Sequence, residues 1–91
     1  MTARVFVSVV TVAEFYEKRG REAARELAAR FAVVGLHVGD ALRCGLLQSR
    51  SARRLGENDA WLAAQALRGG LELVTRDQRF DDVAGLEIVR Y

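Results

Sequence analysis

Five of the six residues from Val5 to Val10 are apolar, and four of them are valine. A run this short and this rich in β-branched side chains predicts a strand buried on both faces. Thr11 and Glu14 follow at the spacing of a capping box, in which the hydroxyl accepts from the Glu14 amide and the carboxylate reaches back to the Thr amide. A helix is therefore predicted from about Val12. Ala23, Ala24, Leu27, Ala28 and Phe31 recur at helical spacing and predict a second helix, with Gly20 marking the break between the two. Val33 to Val38 predicts a very short strand. Asp40 has the chemistry of an N-cap for a helix through Ala41, Leu42, Cys44, Leu46 and Leu47 toward Leu55, with Gly56 as its end. Asn58 or Asp59 opens the next helix, Ala60 to Arg68, which Gly69 and Gly70 close in the left-handed conformation. Leu71 to Thr75 and Leu86 to Arg90 read as strands. Strands alternating with helices predict an α/β fold, a mostly parallel sheet flanked by helices. A ten-residue loop, Arg76 to Gly85, joins the last two strands and leaves the direction of the final one open.

The chain has 91 residues, which suits one domain spanning residues 1–91 and leaves no room for a second core. Hydrophobic residues make up 51% and charged residues 29%, which excludes disorder as a bulk description. Cys44 stands alone, so no intramolecular disulfide can form, as suits a reducing compartment. The apolar stretch from Val5 to Ala13 is broken by Ser8 and Thr11 and is too short to span a bilayer. No signal-peptide pattern is present. A cytoplasmic protein without a membrane partner is the expectation. Charge is unevenly spread: residues 1–56 carry ten Lys and Arg against five Asp and Glu, residues 57–91 four against seven. This asymmetry suggests a basic face and a separate acidic site.

In a parallel α/β sheet, helix N-termini and strand C-termini share the edge where ligands bind. Glu14 follows the first strand, Asp77 follows the Leu71–Thr75 strand, and Asp59 opens the helix feeding that strand. All three carboxylates are thus expected at one edge. Asp59 also heads the stripe Leu62, Ala63, Ala66 and Leu67, so its charge points partly inward and needs a cation or donors. Clustered carboxylates are relieved by Mg or Mn, hard ions that prefer oxygen ligands. Each acid also has an ordinary explanation. Glu14 completes a capping box, Asp59 complements a helix dipole, and Asp77 caps the turn at residues 76–80. Spacing alone leaves both explanations open.

Val7-Ser8-Val9-Val10-Thr11-Val12-Ala13-Glu14-Phe15 resembles the second-strand motif of PIN-domain ribonucleases of the VapC toxin type. Glu57-Asn58-Asp59-Ala60-Trp61-Leu62-Ala63-Ala64-Gln65-Ala66-Leu67 resembles the helix motif bearing that family's third acid. Leu71 to Phe80, followed by Gly85-Leu86-Glu87-Ile88-Val89, resembles its C-terminal strand, loop and last strand. The resemblance implies a Mg- or Mn-dependent endoribonuclease that cleaves RNA, is blocked by an antitoxin protein and forms homodimers or higher oligomers. It further implies that Glu14, Asp59 and Asp77 are the second, third and fourth acids, with catalytic and metal-binding roles, and that Thr75 helps to orient water. The family's first strand, which ends in Asp-Thr-Asn, supplies the first acid and lies centrally, has no counterpart in these 91 residues. The strands flanking that slot are then expected to pair directly, or another chain to fill it; an open slot favours oligomers. The alternative is a catalytically inactive PIN remnant acting as an oligomerising or antitoxin-binding module.

Arg43, Arg50, Arg53 and Arg54 form a basic run with no acid between Ala41 and Gly56, suited either to RNA phosphates or to a solvated helix face. No aromatic residue is interleaved to stack bases. Trp61 is expected to pack rather than stack on a base. His37, the lone histidine, and Cys44, set among leucines, are expected to be structural. No glycine-rich phosphate loop or zinc spacing is present.

Overall fold

The computed structural model describes residues 6–50, 54–75 and 77–89. They fall into two compact units, Met1–Leu36 and His37–Tyr91. In the first unit the order is β1 (Phe6–Ser8), α1 (Val9–Arg19), α2 (Arg21–Arg30) and β2 (Ala32–Val34). β1 and β2 are parallel, with Val7 opposite Val33. The first strand is therefore shorter than the apolar run suggests, because the helix begins inside it. Ser8 is the N-cap: its hydroxyl accepts from the Val10 amide at 3.0 Å, which satisfies an amide that the helix cannot. This overturns the capping box expected at Thr11 and Glu14, which both lie within α1. Gly20 separates the two helices as expected, and its φ of 89° shows why glycine stands there. Val10 and Ala24 are the buried residues of α1 and α2.

The second unit contains α3 (Val38–Arg50), α4 (Glu57–Gly69), β3 (Leu73–Val74), a 3-10 helix (Gln78–Asp82) and β4 (Ile88–Val89). β3 and β4 are parallel, which settles the direction of the last strand. The Leu73 amide donates to the Glu87 carbonyl at 2.8 Å and the Thr75 amide to the Val89 carbonyl at 3.0 Å. Both strands are shorter than expected. Among the described residues the parallel sheet is thus two separate pairs, β1 with β2 and β3 with β4, rather than a ladder joining the first and third strands. No described helix is long and apolar enough to cross a membrane.

The core of this unit is Leu55, Ala60, Ala63, Phe80 and Val83, with Cys44, Leu47, Leu67, Leu73, Leu86 and Ile88 packed against it. Alanines at 60, 63, 64 and 66 let α4 lie close to its neighbours, and all four are buried. Gly56 is the N-cap of α4, so the helix starts one residue before Asn58. Gly70 alone takes the left-handed conformation, with φ 61°, while Gly69 still belongs to the helix. The Gln48 side chain closes the α3–α4 connection by donating to the Leu55 carbonyl at 2.8 Å and accepting from the Leu55 amide at 3.0 Å.

Asp40 is not the N-cap of α3 but its third residue, and it is fully buried. One carboxylate oxygen accepts from the His37 amide at 2.9 Å, the backward half of a capping box. The other accepts from Arg68 Nε at 2.7 Å and so ties α3 to the last turn of α4. Burial alone would push the Asp40 carboxyl up. The Arg68 hydrogen bond, the His37 amide and the nearby positive charges outweigh it and hold the group below the usual carboxylate range. His37 itself is exposed, outside any described strand, and contributes its backbone rather than its ring.

Candidate functional site

The C-terminal end of β3 carries the best-defined constellation. The Thr75 amide is fixed to β4, and the Thr75 hydroxyl accepts from the Asp77 amide at 3.0 Å. Asp77 is the N-cap of the 3-10 helix, its carboxylate accepting from the Arg79 amide at 2.9 Å. The capping role expected of Asp77 is therefore real, but it does not exhaust the carboxylate. Arg79 Nε donates to both Asp77 oxygens, at 3.1 and 2.9 Å, and Arg79 Nη2 donates to Asp77 Oδ2 at 2.5 Å.

The same Nη2 lies 3.4 Å from Asp59 Oδ2. Asp59 occupies the first turn of α4 and is half-buried. Its carboxylate passes close over Gly56, where an added Cβ would come within 3.4 Å of Oδ2. Among the described residues no backbone amide donates to it, and its place in the first turn suits the helix dipole, as expected. A single guanidinium nitrogen thus has carboxylate oxygens from two elements beside it. Hydrogen bonding to Asp77, then the charges of Asp77 and Asp59, hold Arg79 still more firmly protonated than usual.

Asp59 and Asp77, 18 residues apart in sequence, therefore share one cation, as the topology suggests. Glu14 lies in the other unit, half-buried in the second turn of α1. Among the described residues no three His, Cys, Asp or Glu side chains form a ready-made metal cluster. The oxygen donors of Asp59 and Asp77 fit a hard divalent ion, which takes one or two carboxylates and keeps several waters.

Arg43, Arg50 and Arg54 are exposed; Arg53 lies outside the described residues. Trp61 is half-buried on α4. The Cys44 thiol packs against the core, and burial, aided by the Glu57 charge, pushes it up, as suits an unreactive structural thiol. Arg79, Arg68 and the burial of Asp40 escaped the sequence reading. The one available signal for Arg79 was its place two residues after Asp77, inside a turn.

The comparisons with known proteins speak to the family and the fold. The PIN domain model matches residues 1–86. No curated protein sequence matches the chain significantly. Among solved structures, the chain is similar to VapBC-5 from Mycobacterium tuberculosis, a member of the VapBC family of toxin–antitoxin systems. The identity there is 29% with a TM-score of 0.79, over 97% of this chain and 82% of that one. It is also similar to VapBC-1 from nontypeable Haemophilus influenzae, with 24% identity and a TM-score of 0.79 over 96% of this chain and 74% of that one. VapBC2 from Rickettsia felis, bound to a DNA fragment from their promoter, shares 18% identity with a TM-score of 0.79 over the same shares of the two chains. With a family model covering nearly its whole length and an α/β fold shared with VapBC structures, the chain belongs to the PIN domain family.

Proposed function

We propose that this chain is the toxin of a toxin–antitoxin pair, acting as one cytoplasmic domain and cleaving RNA as an endoribonuclease that depends on Mg or Mn. The observation that carries this reading is the placing of Asp59 and Asp77 on either side of one nitrogen. Two carboxylates from different elements held this close need a neutralising cation, a place that Arg79 fills in the chain itself and that a hard divalent ion could also take. Asp59 and Asp77, the two acids that share the Arg79 guanidinium, would hold the metal. The chemistry a bound Mg or Mn supplies is a lowered water pKa and neutralised charge at a phosphoryl group. The chain's own residues supply the rest. Thr75 holds the Asp77 backbone in place, so its hydroxyl acts through Asp77 as well as being a candidate for orienting water. Asp59 and Asp77 accept hydrogen bonds and so can orient a water molecule. The exposed Arg43, Arg50 and Arg54, with Arg53, would attract the phosphates of the RNA.

The test is paired. Manganese binding by calorimetry and cleavage of a long single-stranded RNA should both be present in the wild-type chain and both be lost in Asp59→Asn. Cleavage that survives in Asp59→Asn would refute the assignment.

A second reading, an inactive PIN module that oligomerises or binds an antitoxin, is favoured by a different observation. Val38, Leu42 and Leu46 form a stripe on α3 that is 81%, 72% and 45% exposed. Exposed apolar residues at helical spacing suit a protein partner. Stable oligomers or antitoxin complexes in a chain that binds no manganese and cuts no RNA would select this reading over the first.

A further inference from the structure

Arg79 pairs with both of the carboxylates that would hold a divalent cation, and it is a residue of the chain rather than a visitor. Three hydrogen bonds from Nε and Nη2 engage Asp77, and Nη2 adds the ion pair to Asp59. The side chain is 53% exposed, so no packing traps it there and it has a path outward into solvent. Its backbone amide remains tied to Asp77 whatever the side chain does. A guanidinium is a planar donor fork matched to carboxylates, but it is equally matched to phosphate oxygens.

Resting on the metal-site reading above, we propose that Arg79 is a resident counter-ion of the acid pair. It holds Asp59 and Asp77 together in the metal-free chain, competes with the divalent cation for their oxygens, and leaves when that cation binds. Two opposing effects follow from one contact. Without metal, Arg79 relieves the repulsion between the carboxylates and so stabilises their approach. With metal, the same ion pairs must be broken, which weakens metal affinity. Arg79 is in this sense a positioning residue, acting on the two acids and not on a substrate. Once displaced, its guanidinium is free at the rim of the site, tethered beside Asp77.

The experiment is a manganese titration of the full chain, read by calorimetry, for the wild type, Arg79→Gln and Arg79→Lys, with thermal denaturation of each in metal-free buffer at low salt. Arg79→Gln should bind manganese on the order of 3–10-fold more tightly than the wild type. Arg79→Lys, which keeps the charge but not the fork, should fall between them. In metal-free buffer Arg79→Gln should melt below the wild type, and saturating manganese should raise its Tm by more than it raises that of the wild type. Binding by Arg79→Gln alone, with none by the wild type, supports the proposal in its strongest form. Equal or weaker affinity in a folded Arg79→Gln beside a wild type that binds would overturn the proposal and leave the metal site standing. No binding by any of the three would overturn both.

Discussion

Thr75 shows how a single hydroxyl positions a charged group without touching what that group binds. Its oxygen accepts from the Asp77 amide, while its own amide is held by Val89. Thr75→Val keeps the shape and removes the acceptor. It should cost about 1 kcal/mol in stability and weaken manganese binding several-fold, with Thr75→Ser restoring both. Affinity unchanged in the valine variant would show that Asp77 is held by other contacts. Asp40 makes a different prediction. Its folded carboxyl lies below the ordinary value of 3.8, so its ion pair with Arg68 stabilises in full above that value and fades as the pH falls through the lower folded value. Asp40→Asn should therefore cost about 1–3 kcal/mol near neutrality, and its deficit in urea unfolding should shrink toward zero as the pH falls through the lowered folded value. A deficit that stays constant with pH would mean that shape, not charge, matters there. The nearness of Asp59 and Asp77 was legible, because carboxylates at strand ends and helix starts can be placed by topology; the three-acid cluster with Glu14 is not found among the described residues. Arg79 and Arg68 were not legible, because an arginine's long stem reaches partners that spacing does not specify.

At the level of elements, the helices were easier to foresee than their ends. Capping signals and apolar recurrence together located all four, yet three of their starts differ from expectation. Ser8, not Thr11, caps α1, because its hydroxyl, on the last residue of the strand, reaches the Val10 amide. Both positions carry a hydroxyl beside valines, so sequence pattern cannot choose between them; the register of β1 against β2 does. Ser8→Ala should cost about 1 kcal/mol and lower the Tm by a few degrees, whereas Thr11→Ala should be nearly neutral. The reverse order would restore the cap at Thr11. Asp40 misled for a similar reason. An aspartate three residues into a helix can satisfy the cap amide backwards, and only its burial beside Arg68 distinguishes that from an N-cap. The strands came out shorter than their apolar runs, since Val9 and Val10 continue the β-branched pattern while already lying in α1.

For the whole molecule, the open question is what covers α3. Val38, Leu42 and Leu46 follow one another at four-residue spacing, and Val38 and Leu42 are among the most exposed large apolar residues described. Leaving such a stripe in water costs free energy that burial against a second apolar surface would recover, at about 25 cal/mol per Å². The stripe carries no charge of its own, and the same stripe on a second copy related by a two-fold axis is automatically complementary to it. A homodimer through α3 is therefore the expected solution state. Because Leu42 touches so little of its own chain, Leu42→Glu should change the Tm of the isolated fold by no more than a few degrees. It should nevertheless place two like charges close together across the two-fold axis. Light scattering during gel filtration should then give a dimer for the wild type and a monomer for Leu42→Glu, with manganese affinity unaltered. If both run at the same mass, α3 is not the surface that joins two copies, and its stripe is left for a different protein to bury.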